Sequence, residues 1–276
     1  MRPTVAEKRA TFRRLHESGC FVIPNPWDVG TAIMLQSLGF QALASTSAGM
    51  AWTLGRPDNG VGRDDVVAHL AALVEATDIP VNADYENAFA DEPEGVATSV
   101  TLAAASGVAG LSVEDSTGDR AAPLYDFGLA VERIAAARAA IDAAGGGVLL
   151  TARSEGFIAG RPDLEETIRR LRAFAEAGAD CLYAPGIREP AQITAVVQAV
   201  APKPVNVLTL GMPVAELAGL GVRRISVGGS LARAAYGEFL RAAREIATEG
   251  QFTTFGRAAP SSELNGFFAG RAAPKA

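Results

Sequence analysis

The feature that most constrains this chain is an alternation. Eight short apolar runs rich in Val, Ile, Leu or Ala are each followed by a stretch with helical periodicity. The runs fall at residues 21–24, 42–45, 80–83, 110–113, 148–152, 181–184, 204–208 and 224–227. The intervening stretches carry apolar and charged faces at helical spacing, as in Glu132-Arg133-Ile134-Ala135-Ala136-Ala137-Arg138 and in Leu164 to Leu171. Strands that alternate with helices pair in parallel through crossovers. Eight such units in a chain of 276 residues predict an α/β fold, a closed (β/α)8 TIM-type barrel, over an open doubly wound sheet. Gly39, Gly107, Gly178 and Gly221 end the helical stretches as C-terminal caps. The predicted organisation is a barrel over residues 1–250 and a C-terminal tail over 251–276. That tail holds Phe252, Phe255, Phe267 and Phe268 among Gly, Pro and Ser. It is too apolar to stand in solvent and is expected to pack on a neighbouring subunit or back on the barrel.

Composition excludes several functions. No apolar run approaches the ~20 residues of a bilayer span, and the first nine residues lack the apolar core of a signal peptide, so a cytoplasmic protein without membrane partners is expected. A net charge of -6 without a basic stripe argues against nucleic acid. Lys8, Lys203 and Lys275 are the only lysines, and none is placed for a Schiff base. His16 and His69 lie in helical patterns, and Cys20 and Cys181 show no metal spacing, which disfavours zinc and a disulfide framework.

Active sites of such barrels lie at the C-terminal ends of the strands, so polar residues that close apolar runs are candidates. They include Asn25, Trp27 and Asp28, then Ser45, Thr46 and Ser47, then Asn82, Asp84 and Glu86. Glu114 and Asp115, Arg153, Ser154 and Glu155, Tyr183, Asn206 and the segment 226–230 complete the ring. Carboxylates converging from adjacent strands repel unless a cation lies between them, and an oxygen-only donor set suits Mg²⁺ or Mn²⁺. Asp84 and Glu114 are therefore metal candidates, with the alternative that each caps the helix that follows. Arg153 offers a planar fork to a substrate carboxylate or phosphonate, or else balances Glu114. Ser45-Thr46-Ser47-Ala48-Gly49 either presents N–H groups to an oxyanion or is a plain turn.

These segments together resemble the isocitrate lyase and phosphoenolpyruvate mutase superfamily over most of the barrel. The resemblance is carried by Asn25-Pro26-Trp27-Asp28, by Ser45 to Gly49 with Leu54-Gly55-Arg56-Pro57-Asp58, by Pro80-Val81-Asn82-Ala83-Asp84, by Val113-Glu114-Asp115 and by Ala152-Arg153-Ser154-Glu155. It implies that Asp84 is the metal carboxylate, that Glu114 joins through water, and that Asp58 sits on a loop near the metal. It further implies that Ser45, Thr46 and Ser47 bind the substrate's carboxylate and keto oxygen, that Arg153 binds its second acidic group, that Asn206 approaches the leaving part and that Trp27 lines the pocket. Asn82 joins the substrate-binding set, and Ser116, Thr117 and Asn206 are the groups that would receive or hold the phosphoryl group in carbon–phosphorus chemistry. A homotetramer, a dimer of dimers in which a C-terminal helix crosses to a neighbour, is implied as well.

The departures carry information too. Asn82 stands where many relatives have a second aspartate, and Tyr85-Glu86-Asn87-Ala88-Phe89 replaces a glycine-rich stretch. The gating loop that supplies an acid cysteine in isocitrate and methylisocitrate lyases reads Glu114-Asp115-Ser116-Thr117-Gly118-Asp119-Arg120-Ala121-Ala122-Pro123 here, without cysteine. The expectation is therefore a Mg²⁺-dependent lyase that breaks a carbon–carbon bond of a small 2-oxo or 2-hydroxy dicarboxylate through an enolate. Decarboxylation demands least of the missing acid, because CO₂ leaves without a proton. Carbon–phosphorus chemistry on phosphonopyruvate and a non-catalytic keto-acid-binding barrel are the alternatives.

Overall fold

The computed structural model describes residues 2–209 and 211–270. Each of the eight expected strands is present, within one residue of its predicted bounds. They are β1 (Phe21–Ile23), β2 (Leu43–Ala44), β3 (Val81–Asp84), β4 (Gly110–Glu114), β5 (Leu149–Arg153), β6 (Cys181–Tyr183), β7 (Val205–Leu208) and β8 (Arg224–Ser226). All pair in parallel in the order β1-β8-β7-β6-β5-β4-β3-β2. Between β2 and β1, Ala44 N–H donates to the Pro24 carbonyl at 3.1 Å, so the ring nearly closes.

The helices follow the same chain order. They are α1 (Val5–Glu17), α2 (Val29–Ser37), α3 (Ser47–Thr53), α4 (Arg63–Ala76), α5 (Pro93–Ala105), α6 (Phe127–Ala143), α7 (Leu164–Glu176), α8 (Pro190–Val200), α9 (Val214–Gly219), α10 (Ser230–Glu249) and α11 (Ser261–Ala269). Outward strand residues such as Val81, Leu111, Leu150, Leu182 and Ile225 are buried in one cluster with Leu70, Val100, Ile134 and Phe174 of the surrounding helices. This strand-to-helix layer is the main core, because parallel strands bury both faces.

A second cluster fills the lower barrel. Phe21, Ile23, Ala42, Ala44, Ala109, Leu149 and Cys181 pack around Phe12 of α1. The helix α1 starts on a capping box between Thr4 and Glu7 and lies under the barrel, where Arg9 donates to the carbonyls of Val108 (3.0 Å) and Ala104 (2.7 Å). Gly110 is required by this closure. A Cβ there would lie 2.5 Å from the Phe12 ring and 2.7 Å from Asn82 Oδ1.

By compactness the chain divides into Met1–Leu231 and Ala232–Ala276. Within the second unit, Glu245 accepts from the backbone and hydroxyls of Thr253 and Thr254, and Arg257 pairs with Glu238 at 2.8 Å. Of the predicted tail, residues 271–276 lie outside the described residues. Among the described residues no helix is long and apolar enough to cross a membrane.

Candidate active site

The strand ends converge on one cavity of about 190 Å³ at the C-terminal mouth of the barrel. Asn25, just past β1, fastens three neighbouring strands there. Its Nδ2 donates to the Ser45 carbonyl at 2.9 Å, and its Oδ1 accepts from Val227 N–H at 3.0 Å and Gly228 N–H at 2.9 Å.

Asp84 ends β3 and is the hub. Its Oδ2 accepts from the backbone N–H (3.0 Å) and hydroxyl (2.9 Å) of Ser47, and its Oδ1 accepts from Arg153 Nη1 at 2.6 Å. Its own N–H donates to Ser45 Oγ at 2.9 Å. Arg153, at the end of β5, is shared further with Glu114 (3.2 Å) and, through Nε, Glu155 (2.9 Å), and lies over the Tyr183 ring at 5.1 Å. Burial would depress the Arg153 guanidinium, but the carboxylates of Glu155, Glu114 and Asp84 raise it well above its ordinary value. Burial raises Glu114 and Glu155, and Arg153 opposes that rise in both.

Behind this shell, Asp115 Oδ1 accepts from Glu155 N–H at 2.8 Å while Oδ2 pairs with Arg170 at 3.1 Å. The β4 and β5 loops are thereby locked together. The loop after β3 is held from α6. Glu86, Ala88 and Phe89 have φ of +47°, +60° and +55°, a left-handed backbone that costs non-glycine residues energy. Arg133, 1% exposed, donates to the carbonyls of Asn87, Ala90 and Asp91 and lies 3.9 Å from the Tyr125 ring centre. The loop so held buries Glu86, whose carboxyl is pushed up to about 8 by burial and by Asp84 and Asp58.

Of the residues expected from the sequence, Ser45, Thr46, Ser47, Asp58, Asn82, Asp84, Arg153 and Asn206 line the cavity. Asp58 lies on an exposed loop; its carboxyl is raised by local desolvation and by Asp84. Glu114 stands behind the lining and reaches the site through Arg153. Trp27 is half-buried outside the lining, with its N–H on Thr31 Oγ1. Thr117 is also outside the lining. Its hydroxyl donates to the Ala122 carbonyl at 2.6 Å and accepts from Asp119 N–H at 2.9 Å, so it closes its own loop. Cys20 precedes β1 and Cys181 is buried low in the barrel, far from the role of a gating acid. Sequence reasoning missed Ser112 and Arg224, which line the cavity from below. The signal was period-two alternation, since Arg224 shares the inward face of β8 with Ser226.

The donor set bears on metal binding. Among the described residues no three His, Cys, Asp or Glu side chains form a ready-made cage. Mg²⁺ does not need one, because it is commonly held by one or two carboxylates with waters and substrate oxygens completing the shell. Three hydrogen bonds occupy most of the roughly four lone-pair directions of the Asp84 carboxylate and leave about one open. The carboxylates of Asp58, Asp84, Glu86, Glu114 and Glu155 meet one arginine, Arg153, at this rim. The residues fit a divalent cation.

Comparison with known proteins agrees with this architecture. Residues 12–247 match the family model of phosphoenolpyruvate phosphomutase. An uncharacterized protein of Mycobacterium tuberculosis is 32% identical over 257 residues, covering 92% of this chain and 94% of its own. A crystal structure described as a lyase/mutase from Burkholderia cenocepacia J2315 is 50% identical, with a TM-score of 0.93 over 96% of both chains. Phosphonopyruvate hydrolase, crystallised with oxalate and Mg²⁺, is 26% identical, with a TM-score of 0.83 over 96% of this chain and 97% of its own. The wider superfamily that these matches sample includes 2-methylisocitrate lyase and oxaloacetate acetylhydrolase.

Proposed function

From its membership of the phosphoenolpyruvate phosphomutase family, to which this chain belongs, we propose a Mg²⁺-assisted lyase that cleaves a carbon–carbon bond of a small 2-oxo or 2-hydroxy dicarboxylate, with decarboxylation of an oxaloacetate-type acid favoured. The observation that carries this reading is the Asp84 hub: a carboxylate oriented by Ser45, Ser47 and Arg153 at the mouth of a 190 Å³ cavity. That volume is below the ~300 Å³ at which drug-sized pockets begin, so it suits a metabolite of a few carbons.

Asp84 would hold the ion, with Asp58 and Glu114 as the neighbouring carboxylates. When bound, Mg²⁺ polarises a keto oxygen and stabilises the charge that develops as the bond beta to it breaks. The chain supplies the rest. Ser45 and Ser47 fix Asp84, and Asp115 fixes Glu155, which with Glu114 fixes Arg153. A residue positioned like a gating cysteine is missing, and Thr117 is engaged within its own loop. Both facts favour a product quenched by solvent over retro-aldol cleavage that needs a strong acid, and the Thr117 hydroxyl is already committed to the Ala122 carbonyl and not to a phosphoryl group.

Turnover of oxaloacetate, isocitrate, methylisocitrate and phosphonopyruvate should be compared with Mg²⁺ present. Oxaloacetate should have the highest kcat/KM, chelation should abolish its turnover, and Asp84→Ala should be folded and inactive. Full activity in chelator, or faster cleavage of isocitrate or phosphonopyruvate, would overturn the proposal.

A further inference from the structure

Below the rim the barrel interior stays polar on several strands. Asn82, Ser112, Asn206 and Arg224 line the lower part of the cavity, and Phe12 and His16 of α1 lie beneath them. Arg224 is 3% exposed. Its Nε donates to Asn206 Oδ1 at 2.8 Å, and its Nη1 lies 3.4 Å from His16 Nε2. His16 Nδ1 is 2.8 Å from the Phe12 carbonyl, which can only accept, so Nδ1 carries the hydrogen and Nε2 turns its lone pair to Arg224. Both partners of the guanidinium are therefore neutral.

Among the described residues no carboxylate lies within ion-pair distance of Arg224. A buried cation is costly without a counter-charge. Other buried arginines show the usual remedies. Arg153 is shared among three carboxylates, Arg170 pairs with Asp115 and Glu166, and Arg133 is wrapped by three backbone carbonyls away from the cavity. Of these four, Arg153 and Arg224 line the cavity, and among the described residues Arg224 does so without a carboxylate partner. A second unmet group lies close by: Asn82 Oδ1 is buried without a partner and lines the same cavity. The two needs are complementary, since an anion answers Arg224 and a hydroxyl or water answers Asn82.

We propose that Arg224 is the specificity-determining floor of the site and receives the remote carboxylate of a diacid whose reacting end lies at the rim beside Ser45, Ser47 and Arg153. The inference rests on the diacid reading above and moves the anchor of the second acidic group from Arg153 to Arg224. Depth is compatible. Arg224 is two residues before Ser226 on β8, so its Cα lies ~7 Å back along the strand, and the residue lines the cavity.

Malate and lactate share a 2-hydroxy carboxylate head and differ in the remote carboxylate, so their affinity ratio reads the floor alone. Calorimetric titration of the full chain with Mg²⁺ should use both, with oxalate as the probe of the rim. Wild type should favour malate over lactate by about thirtyfold or more, the scale expected of a buried charge pair. In Arg224→Met the ratio should collapse towards unity while oxalate affinity holds. Arg224→Gln, which can still donate to Asn206, is the second variant. Should neither fold, a crystal structure of the wild type with malate should show its remote carboxylate on Arg224. A malate preference that survives in both variants, or that vanishes in Arg153→Gln but not in Arg224→Gln, overturns the inference. Loss of oxalate binding in the wild type would instead sink the diacid reading on which it rests.

Discussion

Acid should unfold this protein partly through one histidine. His16 is 8% exposed, sits edge-on to Phe12 and Phe21 at 4.7 and 5.1 Å, and faces Arg224. Burial, and then Arg224, pull its pKa from 6.5 down to about 3 in the folded chain. The sign follows from proton counting. Between pH 6.5 and 3 the unfolded chain binds a proton at His16 that the folded chain refuses, so stability is lost as pH falls through that window. The contribution is nil above pH 6.5. Each pH unit costs about 1.4 kcal/mol, so about 2.7 kcal/mol is gone at pH 4.5 and about 5 kcal/mol by pH 3. Against a typical total of 5–15 kcal/mol, this is enough to decide whether the fold survives. Carboxylates titrate in the same range, so the quantity to measure is a difference. Urea unfolding of wild type and His16→Gln should be compared at pH 7, 5.5 and 4.5. The variant loses packing at every pH, but below pH 6.5 its deficit should shrink by about 1.4 kcal/mol per unit as pH falls. A deficit that stays constant from pH 7 to 4.5 would show that His16 protonates freely in the folded state and refute the reasoning.

Asp115 is 2% exposed and joins Arg170 to the backbone of Glu155, so Asp115→Ala should destabilise by about 3–5 kcal/mol in guanidinium unfolding; a loss under about 1 kcal/mol would mean that water replaces the pair. Phe239, Phe252 and Phe255 are 64%, 59% and 54% exposed, and we propose that this apolar surface, with the rest of the tail 251–276, packs on a neighbouring subunit of a homotetramer. Sedimentation equilibrium should give a four-chain particle that dissociates when residues 251–276 are deleted, and a monomer from the full chain would overturn it.

The barrel was legible because its strands are short and buried on both faces. Runs such as Val148 to Ala152 stand out from amphipathic stretches such as Leu164 to Leu171 without knowledge of tertiary contacts. The rim was legible for a related reason: a polar residue that ends an apolar strand marks the mouth, which found Asp84 and Arg153. Three kinds of information were not. That Glu114 reaches the site only through Arg153, and that Thr117 bonds within its own loop, depend on side-chain direction. The clamp of Arg133 on the loop bearing Glu86 joins residues more than forty positions apart. Arg224 escaped because it opens its strand and does not end it, a position that usually belongs to the packed interior.

That last position separates two kinds of barrel interior. A barrel lined by layers of Val, Ile and Leu is filled by its own side chains and needs nothing else. Here the lowest layer follows that rule, with Phe21, Leu149 and the plug of Phe12. The layer above it holds Asn82, Ser112, Thr151, Asn206 and Arg224, and Asn82 Oδ1 lacks a partner. Each buried polar atom left unpaired costs about 1–3 kcal/mol, so an apolar set of equal volume would give a more stable protein. A gain in binding is the natural offset, because a molecule that supplies the missing partners recovers that energy only when it is bound. The polar layer thus makes the unliganded barrel less stable and directs the recovered energy to small ligands that bring both an anion and a hydrogen-bond donor to the floor.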